Sequence, residues 1–156
     1  MKLYVGIDVS KDTLDVCFLD ETDKCVKELK VKNEKSGHLT IQREIKRLAK
    51  GDAVQVCLES TGSYSFDVAS YLAKEVPVSV VNPLKVNRYA QAIARCKTDK
   101  VDARVIALYA HHIPFVPWKA PSPEAFEFRS LMRQVAYLKK QIAALRNRRH
   151  AAGASE

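Results

Sequence analysis

Apolar and other residues alternate at the start of the chain, where Leu3, Val5, Ile7 and Val9 interleave with Tyr4, Gly6 and Asp8. A period of two that ends in Ser10-Lys11-Asp12 predicts a buried strand closed by a turn. Leu14, Val16 and Phe18 repeat the pattern and predict a second strand. Residues 25–32, Cys-Val-Lys-Glu-Leu-Lys-Val-Lys, read as a charged strand suited to a sheet edge. Together they predict an antiparallel meander. Ile41, Ile45 and Leu48 then shift to helical spacing between Ser36-Gly37 and Gly51-Asp52. Ala53–Glu59 is apolar again and ends in a carboxylate. Ser63 is expected to cap a helix from Tyr64 to about Glu75, and Val76–Val81 is a β-branched strand closed by Asn82-Pro83. Helices alternating with the later strands predict parallel neighbours, so the expected fold is α/β with a mixed sheet.

From Leu84 the chain reads as helical and basic, with Lys85, Arg88, Arg95, Lys97, Lys100 and Arg104 close together. Thr98 is the expected N-cap of a helix reaching about His112, with Asp99 and Asp102 on one face of its first turn. Acids there also favour the helix dipole, which is the purely structural explanation. Residues 113–123 carry Pro114, Pro117, Pro121 and Pro123 and predict a linker. In residues 124–150, Phe128, Leu131, Val135, Leu138, Ile142 and Leu145 repeat at spacings of three and four, a coiled-coil seam. The expected division is therefore 1–112, 113–123 and 124–150, with the last helix expected to pair with a partner helix and the chain expected to be a fragment of a longer protein. Packing of the stripe on its own domain is the alternative.

Charge sharpens this picture. The 156 residues carry a formal net charge of +8. Residues 1–60 hold 11 basic and 11 acidic side chains; residues 61–156 hold 15 and 7, and thus the whole excess. A one-sided basic half points to a polyanion, nucleic acid first. Arg88, Arg95, Lys97, Lys100, Arg104, Arg146, Arg148 and Arg149 are the expected contacts. No apolar run approaches the ~20 residues of a membrane span, and Lys11 and Asp12 interrupt any signal-peptide core. Cys17, Cys25, Cys57 and Cys96 form no CxxC pair and fit free thiols in a cytoplasmic protein. His111 and His112 point about 100° apart on a helix and are expected to be poor co-ligands at a helix end. Trp118 and Tyr137 could stack on bases, but packing is the expected role.

A buried Asp8 is costly unless it is paired or metal-bound. A central first strand would set it beside Glu59, and a helix across the sheet end could add Asp99 and Asp102. Four close carboxylates repel unless cations join them. Two Mg2+ or Mn2+ ions suit such hard oxygen donors and support phosphodiester chemistry.

Gly6-Ile7-Asp8-Val9-Ser10-Lys11, Leu58-Glu59-Ser60-Thr61-Gly62-Ser63-Tyr64 and Lys97-Thr98-Asp99-Lys100-Val101-Asp102-Ala103 resemble, in order and spacing, the N-terminal domain of DEDD transposases of the insertion-sequence-110 type and the related Piv-type invertases. Asn82-Pro83 before a basic helix also looks like them. The resemblance implies a RuvC-like, RNase H-type fold with Asp8, Glu59, Asp99 and Asp102 as the metal-binding tetrad. It implies DNA recombination guided by a structured RNA in a bacterial cytoplasm; the heptad stripe separately predicts a homodimer or higher oligomer joined through the C-terminal helix. It also implies a second, serine-bearing domain beyond this chain. Alternatives are a RuvC-type nuclease acting through metal-activated water, an actin-like or sugar-kinase half, and a non-catalytic binding module. Five glycines without a clustered loop argue against the kinase reading.

Overall fold

The computed structural model describes residues 2–93 and 102–153. The chain forms two compact units, residues 1–120 and 121–156. In the first, β1 (Leu3–Val9), β2 (Thr13–Leu19), β3 (Cys25–Lys32), β4 (Val54–Glu59) and β5 (Val78–Val81) make one sheet in the order β3-β2-β1-β4-β5. The meander is antiparallel, whereas β4 and β5 run parallel to β1. The mixed sheet with β1 at its centre matches the alternation of the sequence.

Alternation also assigns the two faces. Leu3, Val5, Ile7, Leu14, Val16, Phe18, Val56 and Leu58 pack with Ile41 and Ile45 of α1 (Lys35–Ala49) and Val68 and Leu72 of α2 (Ser63–Leu72). Each such fully buried side chain stabilises the fold by about 1.5–3 kcal/mol relative to exposure. The other face presents Tyr4, Cys17, Leu19 and Cys57, covered by Ala103, Ile106, Ala107 and Ala110 of α4 (Ala103–His112) and by Val86 of α3 (Pro83–Ile93). Trp118 N–H donates to Val78 O at 2.7 Å, and its indole stands edge-on to Phe66 at 6.1 Å, so Trp118 packs against the core.

Ala103, Ala107 and Ala110 recur at helical spacing and form a low ridge that lets α4 lie almost on the backbone of β1. Gly6 is the point of closest approach. A Cβ there would stand 2.1 Å from Ala103 O and 2.3 Å from Ala107 N, both main-chain atoms. Only glycine fits.

Two helix starts differ from the sequence expectation. α2 begins at Ser63 with Gly62 as its N-cap at φ 70°. Ser63 makes no cap bond; Ser65 Oγ instead accepts from Thr61 N–H and donates to Gly62 O. α4 begins at Ala103, and its N-cap is Asp102. Thr98 and Asp99 lie outside the described residues.

The second unit contains α5 (Pro123–Gly153), opened by Ser122 Oγ accepting from Ala125 N–H at 3.2 Å. Phe128, Leu131, Val135, Leu138, Ile142 and Leu145 are exposed along it. Among the described residues, no helix is long and apolar enough to cross a membrane.

Gly6→Ala is expected to cost about 3 kcal/mol, the upper range for forcing atoms into a packed interior. Urea denaturation measures it, and a change below about 0.5 kcal/mol, the usual surface range, would mean that α4 does not rest on Gly6.

Candidate active site

Parallel register brings the first two candidates together. Ile7 pairs with Leu58, so Asp8 and Glu59, one residue on, stand level on adjacent strands. Adjacent strands lie about 4.8 Å apart. Asp8 shares the face of Gly6, and Glu59 that of Cys57, so both lie on the α4 side. Both are partly buried.

Glu59 is in electrostatic difficulty. Burial, and next the nearby Asp8 charge, push its carboxyl above the usual value of 4.5. Its Oε1 is buried without a hydrogen-bond partner. A buried acceptor left in this way costs about 1–3 kcal/mol, and more when charged.

Asp102 joins from the helix. Its Oδ1 accepts from Val105 N–H at 2.9 Å, which caps α4. The capped end of α4 sits over Gly6, two residues from Asp8 in the same strand. Asp8 and Asp102 line one cleft of about 420 Å³, with Asp15, Glu28, Lys30 and Arg104. One Asp102 oxygen serves the cap, and a carboxylate has two.

Asp15 is a residue that the sequence reading missed. It is the direct antiparallel partner of Asp8, so three carboxylates stand in a row across β2, β1 and β4. The signal was in the hairpin: a tight turn, with Ser10 N–H bonded to Thr13 O, fixes which residues oppose. Lys30, opposite Asp15 on β3, pairs with it at 3.0 Å.

The basic candidates divide by element. Arg104 lines the cleft and donates to Asp23 O at 3.2 Å. Arg88 is exposed on α3, and Arg146, Arg148 and Arg149 are exposed on α5. Arg95, Lys97, Lys100 and Asp99 lie outside the described residues. His111 and His112 do end α4, but the angle between them does not keep them apart. His111 uses its near nitrogen and His112 its far one, and both reach Asp23, at 2.8 and 3.0 Å. Cys17 and Cys57 are buried free thiols, each raised to about 12 chiefly by burial.

The fold resembles that of RuvC from T. thermophilus, solved in complex with a Holliday junction substrate. The TM-score is 0.52 at 16% identity, over 76% of this chain and 100% of that one. Pilin gene-inverting proteins of Moraxella lacunata and Moraxella bovis are each 29% identical, over 153 and 155 residues. The matches cover 96% of this chain and 47% of those proteins, so the chain spans about half the length of these curated relatives. Residues 5–152 match the family model for transposases of the DEDD, insertion-sequence-110 type. The row of carboxylates on a RuvC-like sheet thus sits in a chain that belongs to the DEDD transposase family of the insertion-sequence-110 type.

Proposed function

We propose that this chain is the metal-binding catalytic part of a DNA recombinase, which cleaves and transfers phosphodiester strands. The orphaned, charge-crowded Glu59 beside Asp8 carries this reading. An acceptor that finds no donor, next to a second carboxylate, fits a cation better than a hydrogen-bond network. All the donors are hard oxygens, which suits Mg2+ or Mn2+. Asp8, Glu59 and Asp102 would hold the metal, with Asp99 as the family's fourth ligand and two ions as the expected stoichiometry. Bound divalent ions supply Lewis-acid activation of the attacking group and stabilise the departing oxygen.

The protein's own side chains supply position. Asp102 is held by its cap bond, and Asp8 and Glu59 by the sheet register. Arg104 at the cleft, with Arg88, Arg95, Lys97 and Lys100, would hold the phosphate backbone beside the carboxylates. Arg146, Arg148 and Arg149 would add contacts from α5. The exposed stripe of α5 would form a coiled coil with a second protomer. Full recombination would further draw on a structured guide RNA and on a second domain bearing a serine.

Calorimetry with Mn2+ tests the site. Asp8→Asn is expected to weaken binding at least tenfold, about 1.4 kcal/mol. Unchanged affinity would remove Asp8 from the site. Asp102→Asn keeps the cap and is expected to abolish metal-dependent strand cleavage with the fold intact.

Glu59 gives a pH signature. Its raised value in the fold means that the native state holds the extra proton, so its contribution to stability falls as pH rises above about 4.5. Glu59→Gln is therefore expected to raise the melting temperature of metal-free protein at neutral pH but not in acid, while Mn2+ binding is lost. An equal effect at both pH values would contradict the charge-crowding account.

Duplex DNA affinity is expected to fall on the order of a thousandfold between about 50 and 200 mM salt, as for about six phosphate contacts. A flat response would remove the basic groove. Leu138→Asp with Ile142→Asp is expected to abolish self-association in sedimentation, and unchanged association would place the oligomer contact elsewhere.

A further inference from the structure

On the same sheet face, away from the carboxylate row, three metal-ligating side chains meet from distant parts of the chain. Asp23 lies in the β2–β3 turn, and His111 and His112 end α4. One oxygen of Asp23 and one nitrogen of each histidine lie within 4.8 Å of one another. We propose that Asp23, His111 and His112 form a second metal site, separate from the carboxylate row, which takes a zinc-class divalent transition ion.

The donor set sets the class of ion. Two imidazoles and one carboxylate suit Zn2+, Co2+ or Ni2+, whereas the all-oxygen row suits Mg2+ or Mn2+. Asp23 turns one oxygen to each imidazole, Oδ1 to His111 Nδ1 at 2.8 Å and Oδ2 to His112 Nε2 at 3.0 Å.

The ligands are also held in place. Asp20 Oδ1 accepts from Thr22 N–H, Thr22 Oγ1 and Lys24 N–H, which fixes the turn. Asp23 itself takes φ 62°, a left-handed conformation that aspartate tolerates better than most residues. The His111 ring stacks on Tyr4 at 4.1 Å between centroids.

Tyr89 supplies the outer partner that a ligating histidine needs. Its hydroxyl lies 2.6 Å from His112 Nδ1. Without metal, it can donate to Nδ1 while Nε2–H faces Asp23. With metal, it can accept from Nδ1–H, which frees the Nε2 lone pair for the ion. One hydroxyl serves both tautomers. A metal here would tie the β2–β3 turn to the far end of the helix that Asp102 caps.

The test is zinc calorimetry on the 156-residue chain in excess magnesium, which competes at the carboxylate row. One zinc is expected to bind. Asp23→Asn and His112→Ala are each expected to weaken it at least about tenfold, and Tyr89→Phe about tenfold, as for an outer-shell partner. Cys25→Ser and Asp8→Asn are expected to leave it unchanged, which separates this site from the Cys17–Cys25–Glu28 cluster and from the recombinase centre. Nitrogen NMR of the wild type adds a readout free of folding effects: zinc is expected to shift His111 Nδ1 and His112 Nε2. Absence of zinc binding, retention of it in His112→Ala, loss in Cys25→Ser, or unshifted ring nitrogens would each overturn the site.

Discussion

The contact between α4 and β1 at Gly6 governs the architecture of the carboxylate face. A helix packed on a sheet is normally held off the strand backbone by the side chains that intervene. Here alanine on the helix and glycine on the strand remove them, and main chain meets main chain. The helix start is thereby fixed close to the strand that carries Asp8. A bulkier residue at position 6, 103 or 107 would lift the helix and carry Asp102 away with it. The carboxylate face therefore depends on the smallest side chains in the first unit.

The second determinant is parallel register. Because β1 and β4 run in the same direction, their C-terminal ends lie at the same edge of the sheet, and two carboxylates there are level without any loop to position them. The opposite face contributes rigidity. Its aliphatic residues are nearly all solvent-excluded and pack α1 and α2 against the sheet, so the strands that carry Asp8 and Glu59 have little freedom to shift. The energy cost of bringing like charges together at Glu59 is borne by that core.

Much of this was legible in the sequence, and the exceptions have physical causes. Strand alternation predicts the meander, because a period of two assigns faces directly, and the helices between the later strands predict the parallel neighbours that set Asp8 level with Glu59. The start of α4 lies later than the sequence suggests because Asp102, itself a good capping residue, accepts from Val105 N–H and opens the helix at Ala103. Ser63 lost its expected role because the left-handed Gly62 starts α2 by backbone geometry and Ser65 takes the hydrogen bonds. Asp15 escaped notice because its significance lies in cross-strand register, which requires the turn geometry. For the histidine pair, the angle between Cβ directions is not decisive. An imidazole has two nitrogens at different reach, and that difference offsets the angle.

Asp102 carries a consequence for sequence tolerance. Capping α4 demands a short side chain with an acceptor, which asparagine, serine or threonine could supply as well. Holding the proposed hard cation would demand an anionic oxygen, which glutamate could supply too. Glutamate is a methylene too long for a good cap, and the capping amides and hydroxyls carry no charge. Among the common amino acids, aspartate alone would meet both demands. With the proposed ion at this end of α4, position 102 would lie where the two sets of permitted residues overlap in a single member, closed to drift from both directions at once.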